Sequence, residues 1–269
     1  MIRVQRTVCH VAYDEPASGV LNMAVDETRL AQAAATTGEV DTQSLWLRFY
    51  RWNEPTLSLG YFQRLADRAD HPVSAGCPVV RRSSGGGAIL HDRELTYSLV
   101  APSGHPLARQ PLAMYEAMHR SLIAALRAFR ITAFLHDESP VESFDPAPSR
   151  TPFLCFRRRS GWDVLVESPA EGSPPAKVCG SAQRRRRGAV LQHGSVLLAR
   201  SGAAPELPGM AELAGIGIAP GELGCAWEKQ LNLLYSWNLR LEDRSMSTAG
   251  PVLEAALTKY ASAGFTARR

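Results

Sequence analysis

The sequence predicts an α+β fold, a mixed or antiparallel sheet flanked by helices, and three observations carry that reading. Strand-like stretches cluster together instead of alternating strictly with helices, which argues against a doubly wound fold. Two segments place apolar residues three or four apart over several turns, the period of a half-buried helix. The chain of 269 residues, 45% of them hydrophobic, is long enough to bury a sizeable core. A net charge of only +4 excludes disorder over most of the chain. No run of about 18 apolar residues is present to span a membrane. The opening MIRVQRTVCHVAYDEP lacks the apolar run of a signal peptide, so a cytoplasmic protein is expected.

In chain order, Leu21, Ala24, Val25 and Leu30, separated by Asp26, Glu27 and Arg29, predict an amphipathic helix over Val20–Ala35. Alternating apolar and polar residues make SLWLRFYRW (Ser44–Trp52) a strand, and TLSLG after Pro55 another. VVRR (Val79–Arg82) runs as a strand into three glycines, with AIL and LTYSLV as strands beyond them and an acidic corner at Asp92. Met114, Met118, Leu122, Leu126 and Phe129 predict a helix over Met114–Phe129. A loop rich in Pro, Ser and Asp covers Asp137–Pro152, and SPAEGSPPA (Ser168–Ala176) is a turn-forming spacer. DVLVE (Asp163–Glu167) and AVLQHGSVLL (Ala189–Leu198) read as strands, with Arg184–Arg187 as a solvated hairpin tip. The last quarter shows short helical patterns broken by Gly and Pro, ending in a helix near Leu253–Ala261.

Five cysteines (Cys9, Cys77, Cys155, Cys179, Cys225) are dispersed with no CxxC pair or zinc-like spacing. Free thiols in a reducing compartment are expected, and no metal. Against 27 arginines stand three lysines, Lys177, Lys229 and Lys259. An ammonium on a flexible stem does chemistry a guanidinium cannot, which singles them out.

The most informative segment is RRSSGGGAILHD, Arg81–Asp92. Ser84, Gly85, Gly86 and Gly87 let a backbone approach a ligand closely, whereas the alternative is a hairpin turn or bulge. It is not a phosphate-binding P-loop, because no Gly-Lys-Ser/Thr follows, and it lacks dinucleotide-fold spacing. Arg81 or Arg82 either contacts a phosphate or supports the loop, and His91 either orients the loop or caps the hairpin. The second segment, KVCGSAQ with LQHGSVLL, opens a strand at Lys177 beside the small residues Gly180, Ser181 and Ala182. His193 follows on the next strand. In a regular strand Cys179, two residues on, shares the face of Lys177. Cys77, before Pro78, is expected to be structural.

Taken in order, RRSSGGGAILHD, KVCGSAQ and LQHGSVLL, with Asn22, Ala24, Asp26 and Glu27 of VLNMAVDETRL, resemble the biotin/lipoate protein ligase superfamily. The motifs span residues 21–198. The resemblance implies a single catalytic domain over 1–269, with 199–269 as a C-terminal helical extension. It also implies an acyl-binding tunnel between the glycine-rich and lysine-bearing strands, with Arg82, Ser84–Gly87, His91, Gly180–Ala182 and His193 around the substrate. Within the superfamily, Cys155-Phe156 ahead of the lysine strand, followed by Ser160, Trp162 and Asp163, is similar to an octanoyltransferase branch that carries its acyl group on a cysteine. Arg157–Arg159 depart from the less basic residues expected there.

That likeness implies catalysis by Cys155 and Lys177, with Cys179 as a less favoured nucleophile. Octanoyl would pass from acyl carrier protein through a thioester to a lysine of a lipoyl-accepting protein, such as a glycine cleavage H protein or a dehydrogenase E2 lipoyl domain. A thioester is already activated, so no cofactor is required and ATP enters only if the chain is a ligase. The glycine-loop amides near Gly86 and Gly87 would hold the acyl oxygen. Arg184–Arg187 would steer acidic carriers. No helix-turn-helix precedes the motifs, so nucleic acid is not an expected partner. The alternatives are an amidotransferase between lipoyl proteins, an ATP-dependent lipoate ligase, and a binding protein without turnover.

Overall fold

The computed structural model describes residues 7–35, 44–138, 151–169, 172–242 and 250–268. The chain runs β1 (Val8–Tyr13), α1 (Gly19–Ala35), β2 (Ser44–Tyr50), β3 (Thr56–Leu59), β4 (Val79–Arg81), β5 (Ile89–His91) and β6 (Glu94–Ala101). There follow α2 (Pro106–Arg109), α3 (Pro111–Leu126), β7 (Ala133–Leu135), β8 (Val164–Val166), β9 (Ala176–Arg186) and β10 (Ala189–Leu197). The remainder is α4 (Met210–Ala214), α5 (Pro220–Tyr235), β11 (Asn238–Leu241), α6 (Pro251–Ala261) and α7 (Ala263–Thr266). The α+β reading holds: an eight-stranded mixed sheet, ordered β11-β1-β2-β6-β10-β9-β8-β7, is flanked by helices, and a three-stranded sheet β4-β3-β5 stands beside it. Among the described residues no helix is long and apolar enough to cross a membrane.

The large sheet separates two environments. On one face Met114, Met118 and Leu122 of α3 and Leu223, Trp227 and Leu231 of α5 pack against Leu95, Tyr97 and Leu99 of β6 to form the main core. On the other, Leu30 and Ala33 of α1 cover Val100 and Leu191, while Met23 and Ala24 meet Tyr50 and Trp52 with Ala256 and Tyr260 of α6. The small sheet has its own core, where Leu57, Leu59 and Leu90 meet Phe153, Leu154 and Phe156. Half-buried Cys77 packs against that core, consistent with a structural part.

Three departures from the expected elements have physical causes. The helix expected to reach Phe129 ends at Leu126, and Arg127–Phe129 tighten into a 3-10 turn closed by Arg130 in the left-handed region at φ 60°. The glycine-rich segment is not a hairpin turn, since β4 and β5 both pair with β3, parallel and antiparallel, and the loop crosses over it. Strands β1, β7 and β11 carry no clear sequence signal, because their pairing is long-range: β1 lies parallel to both β2 and β11. The tip between β9 and β10 is Arg187 and Gly188 alone, at φ 46° and 86°; Arg184–Arg186, expected in that tip, instead pair with Leu191, Val190 and Ala189 as the exposed end of β9. Residues 139–150 of the loop expected over Asp137–Pro152, and any function as a lid, lie outside the described residues.

Candidate active site

Between the small sheet and the α1 face of the large sheet lies a small, mainly apolar cavity of about 50 Å³ that opens to solvent. Its walls come from Gly85, Gly86 and Ile89 on the glycine-rich side and from Gly180 and Ala182 of β9 and His193 and Ser195 of β10 on the sheet side. Met23 of α1, Cys155 and Phe156 complete them. The expected position between glycine-rich and lysine-bearing segments is the observed one.

Cys155 opens a 3-10 turn, Cys155–Arg157, held from both sides. Its neighbours Leu154 and Phe156 are buried in the small-sheet core. Its N–H donates to the Ala88 carbonyl at 2.7 Å, and the Ala88 N–H donates to Phe153 at 3.0 Å, so the turn is laced to the end of the glycine-rich loop. Cys155 is half-buried and lines the cavity. Lys177 Nζ stands 3.9 Å from Cys155 Sγ. It also donates to the carbonyls of Cys155 (3.4 Å) and Arg158 (3.5 Å) and to Asp163 Oδ2 at 2.8 Å, where both side chains are buried.

What brings Lys177 here is an irregularity in β9. Leu165 of β8 pairs with Lys177, yet the preceding Val164 pairs with Cys179, so β9 carries one extra residue and the pleat changes parity. Lys177 thereby joins the face of Gly180: a Cβ at Gly180 would stand 2.5 Å from Lys177 Cε and 2.8 Å from Nζ. Only a glycine leaves the lysine this path. The expectation that Cys179 shares the face of Lys177 is therefore corrected. Cys179 lies in the main core, 4.0 Å from His119 Nε2 on α3, and burial pushes its thiol strongly up, out of the reactive range.

The glycine loop is cradled from beneath by Arg82, whose Nη2 donates to Gly85 and Gly87 at 2.7 Å each and whose Nη1 donates to Ser58 at 3.0 Å. A trans peptide sets N–H opposite C=O, so the Gly86 N–H points away from the guanidinium. Gly86 itself has φ 95°, accessible to glycine without strain. Burial pushes Arg82 down to about 10, opposed by the nearby Cys155 sulfur. Buried Arg81 donates to the carbonyls of Gly60, Tyr61 and Gln63 and to Phe265 and Thr266 near the C-terminal end of the described chain. Of the two functions the sequence left open for these arginines, loop support is the one their contacts serve.

Four expected residues have their polar atoms engaged within the protein, and three of them, His91, Ser181 and His193, line the cavity. Ser84 bonds His193 Nε2 at 2.5 Å, and His193 Nδ1 faces Asp26 Oδ2 at 3.3 Å. Asp26 also accepts from Arg48 (3.0 Å), Tyr50 (2.9 Å) and Ser98 (2.8 Å). Burial pushes the Asp26 carboxyl up, but the His193 hydrogen bond and the Arg48 charge outweigh it and hold the group below its usual range. His91 caps no hairpin, since β5 and β6 lie in different sheets, and its ring bonds join those sheets. It bonds Glu94 (2.6 Å) across the corner, and it ties Ser58 of the small sheet (2.8 Å) to Ser195 of the large one (3.3 Å). Ser181 lines the cavity, but its hydroxyl is engaged by Tyr97 and His119, each at 2.7 Å.

Asp163 was legible only as part of a resemblance, yet it is the closest partner of Lys177. A buried lysine needs a counter-ion, and an acidic residue on the strand paired with its own was the available signal. Tyr50, Thr96 and Ser195, which line the cavity from β2, β6 and β10, had no local signal at all.

With this geometry in place, the comparisons define the class: the chain belongs to the lipoyl protein ligase A/B catalytic domain family, matched over residues 18–204. Among curated relatives it is 39% identical over 185 residues to the "Octanoyltransferase LipM" of Kyrpidia tusciae, covering 67% of this chain and 62% of that protein. The protein of the same name from Staphylococcus aureus is 38% identical over 182 residues, covering 65% and 60%. The matched segments thus span about three fifths of those relatives' length. Among solved structures, a putative lipoate protein ligase from T. acidophilum superposes with a TM-score of 0.68 at 20% identity, over 97% of this chain and 99% of that one. A lipoate-protein ligase A bound with ATP gives 0.68 at 18%, over 97% and 98%. These structural likenesses establish the fold.

Proposed function

We propose that this protein is an octanoyltransferase of lipoate assembly, acting without cofactor in the cytoplasm, with residues 1–269 as its catalytic domain. The observation that carries the reading is the Cys155 sulfur beside the Lys177 ammonium, at a mainly apolar cavity closed by the glycine loop. The similarity to proteins named octanoyltransferase supports it.

In the first step the Cys155 thiolate attacks the thioester carbonyl of octanoyl-acyl carrier protein. The carrier thiol leaves with the proton that Cys155 gave up, and one thioester replaces another at almost no cost in free energy. Lys177 balances the negative charge on sulfur, and the Gly86 N–H meets the oxygen as charge develops on it. In the second step the neutral amine of an acceptor lysine attacks the Cys155 thioester. The C–S bond breaks, an amide forms, and the proton lost by the amine passes to the departing sulfur, which returns as the Cys155 thiol beside the ammonium. Because the donor is already activated, ATP has no part.

The acceptor in this reading is a lipoyl-accepting protein, either a glycine cleavage H protein or an E2 lipoyl domain. A bipartite ligase of related fold from Thermoplasma acidophilum has been solved in a study that includes its E2 lipoyl domain. The exposed arginines 184–187 complement acidic carriers. Intact-mass measurement with octanoyl-acyl carrier protein, without ATP, tests the proposal. A hydroxylamine-labile octanoyl adduct that is chased onto a lipoyl domain, and is absent from Cys155→Ala, is the expected result. ATP-dependent modification surviving Cys155→Ala would make the chain a ligase, and a chase only from an octanoylated lipoyl protein would make it an amidotransferase.

A further inference from the structure

Resting on that reading, the site contains a hazard: the enzyme makes amides from a Cys155 thioester, and the nearest amine is its own. Lys177 Nζ stands 3.9 Å from Cys155 Sγ, and the carbonyl carbon of the acyl-enzyme is one bond from that sulfur. Well-oriented intramolecular pairs react with effective molarities of about 10⁵ M or more, far above any concentration of acceptor protein. If Lys177 attacked, its lone pair would form an Nζ–C bond, the C–S bond would break, and the Nζ proton would pass to the departing sulfur. The product is an octanoyl-amide on Lys177 and a free Cys155 thiol, an enzyme blocked after one turnover.

We propose that Asp163 prevents this by holding Lys177 as an ammonium, which has no lone pair. Three oxygens surround Nζ, from Asp163 (2.8 Å), Cys155 (3.4 Å) and Arg158 (3.5 Å), and all three are acceptors. An ammonium has three N–H groups to give them, whereas a neutral amine has two and would turn its lone pair against an acceptor. Asp163 is itself fixed: its Oδ2 accepts from the Ser160 N–H at 2.8 Å, and its Oδ1 lies 3.1 Å from where a Cβ at Gly180 would stand. Asp163 is thus a positioning residue with a chemical purpose. It keeps the cation that serves Cys155 from becoming a competing nucleophile.

The test uses octanoyl-acyl carrier protein with hydroxylamine treatment and peptide mapping. Wild type is expected to carry only a labile adduct on Cys155. Asp163→Asn is expected to convert most of it to a hydroxylamine-stable adduct on the Lys177 peptide. That stable adduct should vanish in Asp163→Asn/Lys177→Arg and in Asp163→Glu, which restores the carboxylate. A labile adduct alone on Asp163→Asn overturns the proposal and leaves the octanoyltransferase reading intact, while no labile adduct on wild type overturns that reading and this inference with it. Should Asp163→Asn not fold, ¹⁵N-lysine NMR of wild type decides. With three lysines in the chain, the signal lost in Lys177→Arg identifies Lys177. An NH₃⁺ signature supports the proposal and an NH₂ signature overturns it.

Discussion

Two cysteines lie near Lys177, and the regions that hold them behave in opposite ways. Cys179 is two residues away in sequence, inside the longest strand, with its sulfur sealed in the core beside His119. Cys155 is 22 residues away, on a single turn laced to the glycine loop, half-buried at the cavity. Proximity along the chain favoured the first, and the fold selects the second. Reactivity in a thiol needs both a cation and access, and Cys179, although Lys177 is nearby, has no access once its neighbours close over it.

The sharpest way to break that contrast is to remove each sulfur. Cys155→Ala is expected to abolish the labile adduct and lower transfer by roughly 10⁶-fold, as loss of a nucleophile does elsewhere. Cys179→Ala should keep the adduct. Comparable losses from both, measured as octanoyl transfer per folded molecule, would end the distinction.

The core side of the comparison has its own titration. Burial, against the opposing Trp162 carbonyl and Asp163 charge, pushes His119 down to about 4, from an ordinary value of 6.5. The unfolded chain binds the proton first as pH falls, so stability is full above about 6.5 and declines toward pH 4, by roughly 3 kcal/mol from this group. His105, also pushed down to about 4 by burial, adds to the slope. Denaturant melts across that window should show His119→Gln with a flatter dependence than wild type, and an unchanged slope would count against a neutral buried imidazole.

Gly180→Ala probes the path that the parity change creates. Its Cβ would meet Lys177 Cε at 2.5 Å, and displacing the ammonium by about 1 Å is expected to cost up to about 10²-fold in kcat/KM. Circular dichroism should show the fold retained. Wild-type activity would mean that the lysine has another route to the sulfur.

The smallest expected effect is again at Cys179. Replacing its buried sulfur by the Ala methyl should lower stability by about 1–2 kcal/mol, read from the denaturant midpoint, with transfer per folded molecule unchanged. In native wild type, iodoacetamide should label Cys155 while sparing Cys179, and equal labelling by peptide mapping would contradict the burial that separates them.

Much of this was legible in the residues. The helix at Met114 and the strands between Ser44 and Leu198 other than β7 showed in apolar period, because each half-buried element repeats its own geometry. The cavity walls could be placed because RRSSGGGAILHD and KVCGSAQ each cluster small residues, and Gly85, Gly86, Gly180 and Ala182 do line the cavity. The short outer strands β1, β7 and β11 did not show, since a few residues paired across long separations leave little local pattern. Nor did the use of Arg81 and Arg82 as carbonyl-binding supports, which depends on where loops from distant parts of the chain converge.

By itself the sequence determined the α+β class, the small-residue walls of the cavity and the inventory of chemical groups, among them one lysine set beside Gly180–Ala182. Only the tertiary structure decided which sulfur that lysine meets. A side chain's face depends on pleat parity, and one extra residue in β9 opposite β8 inverts it, turning Lys177 toward Cys155 and Cys179 to the core. That inversion is fixed by the register of a paired strand, and pairing between distant segments is information that no single segment contains.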